Sequence, residues 1–220
     1  MKILIIAAHP DDECLGMAGT IAKISKDNSI EILILGTGIA SRNIQNKNEA
    51  IIKLRDESKK ANNILGIQKI YFEDLPDNEF DRISLLNITK IVETYIEKIR
   101  PEIIFTHHIG DLNVDHQLTH RAVMTALRPI GNYSVQKIYS FEVLSSTEWG
   151  ISESFQPNTY IDISDTIKLK EDALREYKSE IREYPHPRSI EGIKILAKKR
   201  GMEVGLRYAE AFQLIRDVRK

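Results

Sequence analysis

The stretch Ala8-His9-Pro10-Asp11-Asp12-Glu13 packs one imidazole and three carboxylates side by side. A second stretch, His107-His108-Ile109-Gly110-Asp111-Leu112-Asn113-Val114-Asp115-His116, adds three histidines and two aspartates. Adjacent acids repel one another, and a divalent cation offsets that repulsion. If the two stretches meet, they bring together imidazole nitrogens and a carboxylate oxygen, the ligand mix of a tetrahedral zinc site with bonds of about 2.0–2.2 Å. Three protein ligands and one open position make such a site catalytic rather than structural. Asp11 and Asp12 point in different directions, so one can ligate while the other exchanges a proton with water. Spacing alone does not say which does which.

Three other readings compete. Acids in such loops often cap the next helix, and strand-end histidines are often merely solvated, although two clusters of this kind are hard to explain that way. Carboxylates at strand ends also suit magnesium and phosphoryl transfer, but histidines among the best ligands favour zinc. A non-catalytic binding module would need neither a metal nor paired acids.

Both clusters follow apolar runs. Residues 2–7 (Lys-Ile-Leu-Ile-Ile-Ala) read as a fully buried strand, and 102–107 (Glu-Ile-Ile-Phe-Thr-His) as another. Further strands are expected at 30–36, 67–73, 137–143 and 159–163. Helices are expected at 15–27, 46–65, 85–99, 117–127, 164–184 and 190–207, with Gly66 and the pair Arg100-Pro101 as stops. Alternation of strand and helix argues for an α/β domain with a mostly parallel, helix-covered sheet. In such a sheet, ligands bind at the carboxyl ends of the strands. Gly36-Thr37-Gly38 lacks the remainder of a phosphate loop and reads as a strand-end turn.

The chain has 220 residues, enough for one domain spanning 1–220, with 42% hydrophobic and 29% charged residues. A formal net charge of −1 implies no general attraction to nucleic acid or anionic lipid. The single cysteine, Cys14, excludes an intrachain disulfide, and the acids beside it disfavour its thiolate. The first apolar run is too short for a signal peptide, and no run is long enough to span a membrane, so a cytoplasmic protein is expected.

The two motifs resemble those of the LmbE/PIG-L family of zinc-dependent N-acetyl deacetylases, Ala/Pro-His-Pro-Asp-Asp-Glu followed downstream by His-x-x-Asp-x-(His/Asn)-x-Asp-His. The similarity extends to His186-Pro187-Arg188-Ser189 and to Tyr208-Ala209-Glu210-Ala211-Phe212. It implies a Rossmann-like three-layer α/β/α sandwich and hydrolysis of an acetamido group on an amino sugar, with acetate released. Carried over by position, it makes His9, Asp12 and His116 the Zn2+ ligands and Asp11 the general base. Asp115 becomes an acid paired with a histidine of its own segment. Asn113 stands where thiol-pathway members have an oxyanion-stabilising histidine; an amide can donate one hydrogen bond there but cannot carry positive charge. That departure leans towards a small-molecule sugar or sugar-nucleotide substrate of surface-glycan synthesis. Related enzymes often form trimers or hexamers, so a homo-oligomer is compatible with the resemblance.

Weaker candidates complete the site. Arg55 matches a position near the family's site, where it could hold an acid or a substrate hydroxyl. His186 and Arg188 lie in a turn kept extended by two prolines and read as substrate-pocket residues. The proton for the leaving amine could come from Asp11, His108 or His186. Trp149 could stack on a sugar face, within the loop 145–156 that, with the tail, would set specificity. His120 reads as a helix-face residue, and His107 as pointing to the opposite side of its strand from His108.

Overall fold

The structure, a computed structural model, describes residues 1–39, 45–130, 135–151 and 153–219. A seven-stranded sheet runs through the molecule in the order β3-β2-β1-β4-β5-β7-β6. Its strands are β1 (Lys2–Ala7), β2 (Ser29–Gly36), β3 (Ile70–Leu75), β4 (Ile103–His107), β5 (Lys137–Phe141), β6 (Thr159–Asp162) and β7 (Ala209–Asp217). The helices are α1 (Asp12–Ile24), α2 (Lys47–Ile64), α3 (Leu85–Ile99), α4 (Val114–Ala126), α5 (Ile167–Glu176) and α6 (Ile190–Met202). β1 to β5 are mutually parallel, and β7 runs antiparallel to both β5 and β6.

Alternation along β1 makes the three layers. Ile3 and Ile5 face one core, closed by Cys14, Ile21 and Leu54, whereas Leu4 and Ile6 face a second, closed by Val92, Ile96 and Val123. A strand apolar on both faces has to be covered on both faces. From β1 the chain winds outward through β2 and β3, then returns to place β4 on the other side of β1, with Ile3 opposite Ile103 and Ile5 opposite Phe105. That reversal is a topological switch point, where the carboxyl ends of two strands open a crevice. The two motif loops leave these two strands.

The C-terminal third departs from the sequence reading. The helix expected over 164–184 is only Ile167–Glu176, because Tyr177 turns inward and its hydroxyl donates to Glu13 at 2.6 Å. The following irregular stretch carries Glu180 and Arg188. The helix expected to reach 207 stops at Met202, before Gly205 at φ +75°. This releases the chain into β7, a strand the sequence did not announce.

Candidate metal centre and active site

The loop after β1 separates its two aspartates by backbone geometry. Asp11 precedes α1 in a left-handed conformation, φ 108°, that is unusual for a residue with a side chain. Its amide donates to Glu13 Oε2 at 3.2 Å, and its carbonyl accepts from Leu15 at 2.8 Å. After this sharp turn Asp12 opens the helix and points inward, where Oδ2 accepts the His9 amide at 2.8 Å. Asp12 Oδ1 is buried and has no hydrogen-bond partner among the described residues. On the other side Gly38 closes over the loop. It takes φ +72°, and a side chain there would meet Pro10 Cδ at 2.7 Å.

The loop after β4 buttresses this turn. His107 Nε2 accepts the Ala8 amide at 2.8 Å, tying the two strand ends together. Accepting there requires a deprotonated nitrogen. Burial and the neighbouring His116 hold the His107 pKa well below the ordinary histidine value. The His107 ring stacks on that of His116 at 4.0 Å. His120 Nδ1 donates to the His107 carbonyl at 2.8 Å, which fixes the strand end from α4. Asn113 starts α4 by accepting the Asp115 amide on its side chain at 2.8 Å.

Two histidines then meet one carboxylate. His116 Nε2 lies 3.2 Å from Asp12 Oδ2, and its Nδ1 lies 3.1 Å from Asp111 Oδ1. His9 Nδ1 lies 3.4 Å from Asp12 Oδ2, and its Nε2 lies 2.8 Å from Asp115 Oδ2 and 3.3 Å from Asp77 Oδ1. Each ring thus turns one nitrogen to Asp12 and the other to an outer carboxylate. That is the carboxylate–histidine arrangement by which proteins aim imidazoles at a metal. Both nitrogens of His116 are buried without a geometrically satisfactory hydrogen bond among the described residues. Unmade bonds of that kind are costly in a folded interior and fit a site built for a cation. His9, Asp12 and His116 offer ligand atoms within 4.8 Å of one another, and His9, Asp77 and Asp115 form a second such group. The second group is already engaged: Asp115 also accepts the Asn78 amide at 2.6 Å and the Phe80 amide at 3.0 Å.

Charge distribution separates the neighbouring aspartates. Burial opposes ionisation of Asp12, but His116 and His9 outweigh it and hold its pKa well below the ordinary range. Burial raises Asp11 well above the ordinary range; Arg188 opposes the rise, and Asp12, Glu180 and Glu13 add to it. Burial lowers both histidines, yet nearby carboxylates prevail. Asp115 and Asp12 bring His9 to about 10, and Asp12 with Asp111 brings His116 to about 9. Asp111 is itself held at about 2, against burial, by His116, Ser146 and Thr147.

A cavity of about 100 Å³ opens onto the centre, with Asp11, Asp77, Asn78, Asn113, Glu180 and Arg188 among its walls. Arg188 spans it, donating from Nη1 to Asp11 Oδ2 at 2.8 Å and from Nε to Ser145 Oγ at 2.7 Å.

Residues 4–127, more than half of the chain, match the sequence profile of the family described as PIG-L, GlcNAc-PI de-N-acetylase. The chain belongs to the PIG-L family. A diacetylchitobiose deacetylase of Thermococcus kodakarensis is 28% identical over 232 aligned residues, covering 97% of this chain and 83% of that protein. The fold is shared with the N,N'-diacetylchitobiose deacetylase of Pyrococcus horikoshii solved with its inhibitor MPG. The TM-score is 0.80 at 22% identity, over 97% of this chain and 83% of that one. GalB, the 4-carboxy-2-hydroxymuconate hydratase of Pseudomonas putida KT2440, has an equal TM-score of 0.80 at 18% identity, over 100% and 98% of the two chains. Fold alone therefore does not fix the reaction in this architecture.

In this PIG-L chain the expected residues divide into two sets. His9, Asp11, Asp12, Asn113, Asp115, His116 and Arg188 converge at the switch point. Arg55 does not join them. Its guanidinium donates to Asp74 and to the Glu73 carbonyl, both at 2.7 Å, and lies over Phe72. His108 turns the other way and donates to the Glu153 carbonyl at 3.1 Å, while His186 Nδ1 accepts the Arg188 amide at 3.1 Å. Neither histidine lines the cavity. Trp149 is 48% exposed in the 145–156 loop, of which residue 152 lies outside the described residues. The expected pairing of Asp115 needs correction. It meets His9 of the first motif, because neighbours in sequence on a helix, such as Asp115 and His116, cannot face each other. Asp111 takes the role beside His116 by reaching back from the loop.

Sequence reasoning overlooked Asp77, Asp111 and Glu180 as individual site residues. Asp77 follows the carboxyl end of β3 and Asp111 follows that of β4, so the strand-end rule could have found both. Glu180 carries no local signal. Among the described residues, no helix is long and apolar enough to cross a membrane.

Proposed function

We propose that this chain is a zinc-dependent hydrolase that removes the acetyl group from an N-acetylated amino sugar or sugar conjugate, releasing acetate and a free amine. The observation that carries this reading is the division between Asp12, turned to two imidazoles, and Asp11, turned to the cavity. Family membership and the named activities of the relatives support it. His9, Asp12 and His116 would hold the ion, and two imidazoles with one carboxylate favour zinc over magnesium. When bound, zinc would polarise the acetyl carbonyl and make water a better nucleophile near neutral pH.

The chain's own residues supply the proton traffic. Asp11 takes a proton from water as the new C–O bond forms at the acetyl carbon. It returns that proton to the departing nitrogen as the C–N bond breaks. A carboxyl raised by burial exchanges its proton closer to neutrality than an exposed aspartate, which suits a group working in both directions. Arg188 keeps the Asp11 carboxylate turned to the cavity. Asn113 spends its carbonyl oxygen on the α4 cap and one N–H on Asn78 Oδ1 at 3.1 Å, which leaves one N–H for the oxyanion. His108 and His186 are held by other partners, which favours Asp11 over them as proton donor.

An acetate-release assay across N-acetylated sugars, with and without a chelator, tests the proposal. Chelator-sensitive release from at least one sugar is expected. No release from any of them, or release indifferent to the chelator, overturns it.

A further inference from the structure

The helix that presents Asp12 is broken one turn later. Met17, inside α1, has φ −150° and ψ 23°, far from helical values. In a continuous helix the Gly19 amide would donate to the Leu15 carbonyl. Here both groups have other partners. The Gly19 amide donates to Glu210 Oε1 at 3.0 Å and the Thr20 amide to Glu210 Oε2 at 2.6 Å. The Leu15 carbonyl accepts from Lys170 Nζ at 2.8 Å, and Lys170 closes the circuit on Glu210 Oε1 at 2.6 Å. Thr166 Oγ1 donates to the Gly19 carbonyl at 2.8 Å. An ion pair from α5 and β7 is thus inserted into the backbone ladder of α1, a recognised cause of a sharp helix kink.

Neither charge is near solvent: the Lys170 and Glu210 side chains are 5% and 4% exposed. Burying such a pair costs desolvation, and apolar replacements of similar volume are often as stable or more so. Stability is therefore a poor reason for its presence, whereas geometry is a good one. The kink divides α1 into a segment that carries Asp12 and Glu13 and a segment packed towards β6. At the joint, Gly16 sits so close to the sheet that a Cβ would meet Phe141 Cδ2 at 2.5 Å. Straightening α1 would move its first turn, and with it Asp11 and Asp12, relative to His116.

We propose that Lys170 and Glu210 are positioning residues of the active site, holding the break in α1 so that Asp12 and Asp11 reach their places. The claim rests on the hydrolase reading for its consequence in turnover, and on the three-ligand metal centre for its consequence in binding. It also explains why Glu210, in the segment Tyr208-Ala209-Glu210-Ala211-Phe212, sits buried in a strand.

The test pairs the double variant K170M/E210M with E210Q, and uses R200M as a control. R200M breaks another largely buried ion pair, between Arg200 and Glu142 at 2.6 Å; the guanidinium donates to Glu142 and Glu203 and is not inserted into the α1 backbone ladder. In K170M/E210M the Gly19 amide and Leu15 carbonyl can find each other again. The thermal midpoint should hold or rise, while zinc affinity, measured by competition with a chromogenic chelator, falls at least tenfold. E210Q keeps the volume and one acceptor oxygen. It should keep zinc but lose at least tenfold in kcat, with KM changed less than twofold. R200M should lower the thermal midpoint with zinc affinity and kcat unchanged. The proposal is overturned if K170M/E210M binds zinc within twofold of the unaltered protein. It is equally overturned if E210Q loses activity only in proportion to stability, as a purely structural pair would. If K170M/E210M does not fold, E210Q decides by its kcat-to-KM split. Should the unaltered protein release no acetate from any sugar, the hydrolase reading fails alone, and zinc affinity still decides the positioning claim.

Discussion

The loops after β1 and β4 leave neighbouring parallel strands yet carry different duties. The β1 loop holds the groups that would meet substrate and ion: His9, Asp12 and the strained Asp11. The β4 segment would add one ligand, His116, and one N–H for the oxyanion, from Asn113 at the cavity wall, while the rest of it aims what is already there. Asp115 faces His9, Asp111 faces His116, and His107 ties the Ala8 amide to the strand end. A residue's distance from the reacting atoms is therefore not set by its acidity or burial. Asp11 and Asp111 are both buried aspartates, but burial raises one while hydrogen bonds and His116 lower the other. In the proposed reaction the first would exchange a proton and the second would orient His116.

Substitutions can break that contrast. Among variants that keep the ion, Asp11→Asn should cost the most in turnover, about 10²–10⁴-fold in kcat as expected for loss of an acid–base group, with metal content by elemental analysis unchanged. If activity survives, or if zinc is lost with it, Asp11 is not the proton carrier. His116→Ala should instead lose the ion, which the same elemental analysis reads. Asp111→Asn should weaken zinc binding by about 10–100-fold, as outer carboxylate partners do, and leave kcat at saturating zinc little changed. A kcat loss equal to that of Asp11→Asn, with zinc affinity intact, would erase the distinction between the loops. Asn113→Ala should have the smallest effect on stability, about 1 kcal/mol for a lost helix cap. Its kcat should fall while KM holds if the remaining N–H meets the oxyanion.

Much of this arrangement was legible from residue order. The apolar runs of β1 and β4, each ending in histidine and acid, announced two buried strands and their functional ends. Pairing of Ile3 with Ile103 then made the loops neighbours. Asn46 was readable as a helix start, and its side chain does accept the Glu49 amide at 3.3 Å. What escaped depends on partners distant in sequence. β7 contains Glu210, an unpromising strand residue until Lys170 and the kinked α1 supply its contacts. The over-long helix from 164 fails at Tyr177, whose hydroxyl is drawn to Glu13, and so Glu180 reaches the cavity from a loop. Arg55 and His108 have the right chemistry near the right strands, but Asp74 and the Glu153 carbonyl claim them first.

Anomalous diffraction at the zinc edge from crystals grown with zinc would be the most direct examination of the centre. A single strong peak bonded to His9, Asp12 and His116, with Asp11 unligated and facing the cavity, is the predicted result. A peak held by Asp77 and Asp115 in place of Asp12 and His116, or one that takes Asp11 as a ligand, would contradict it.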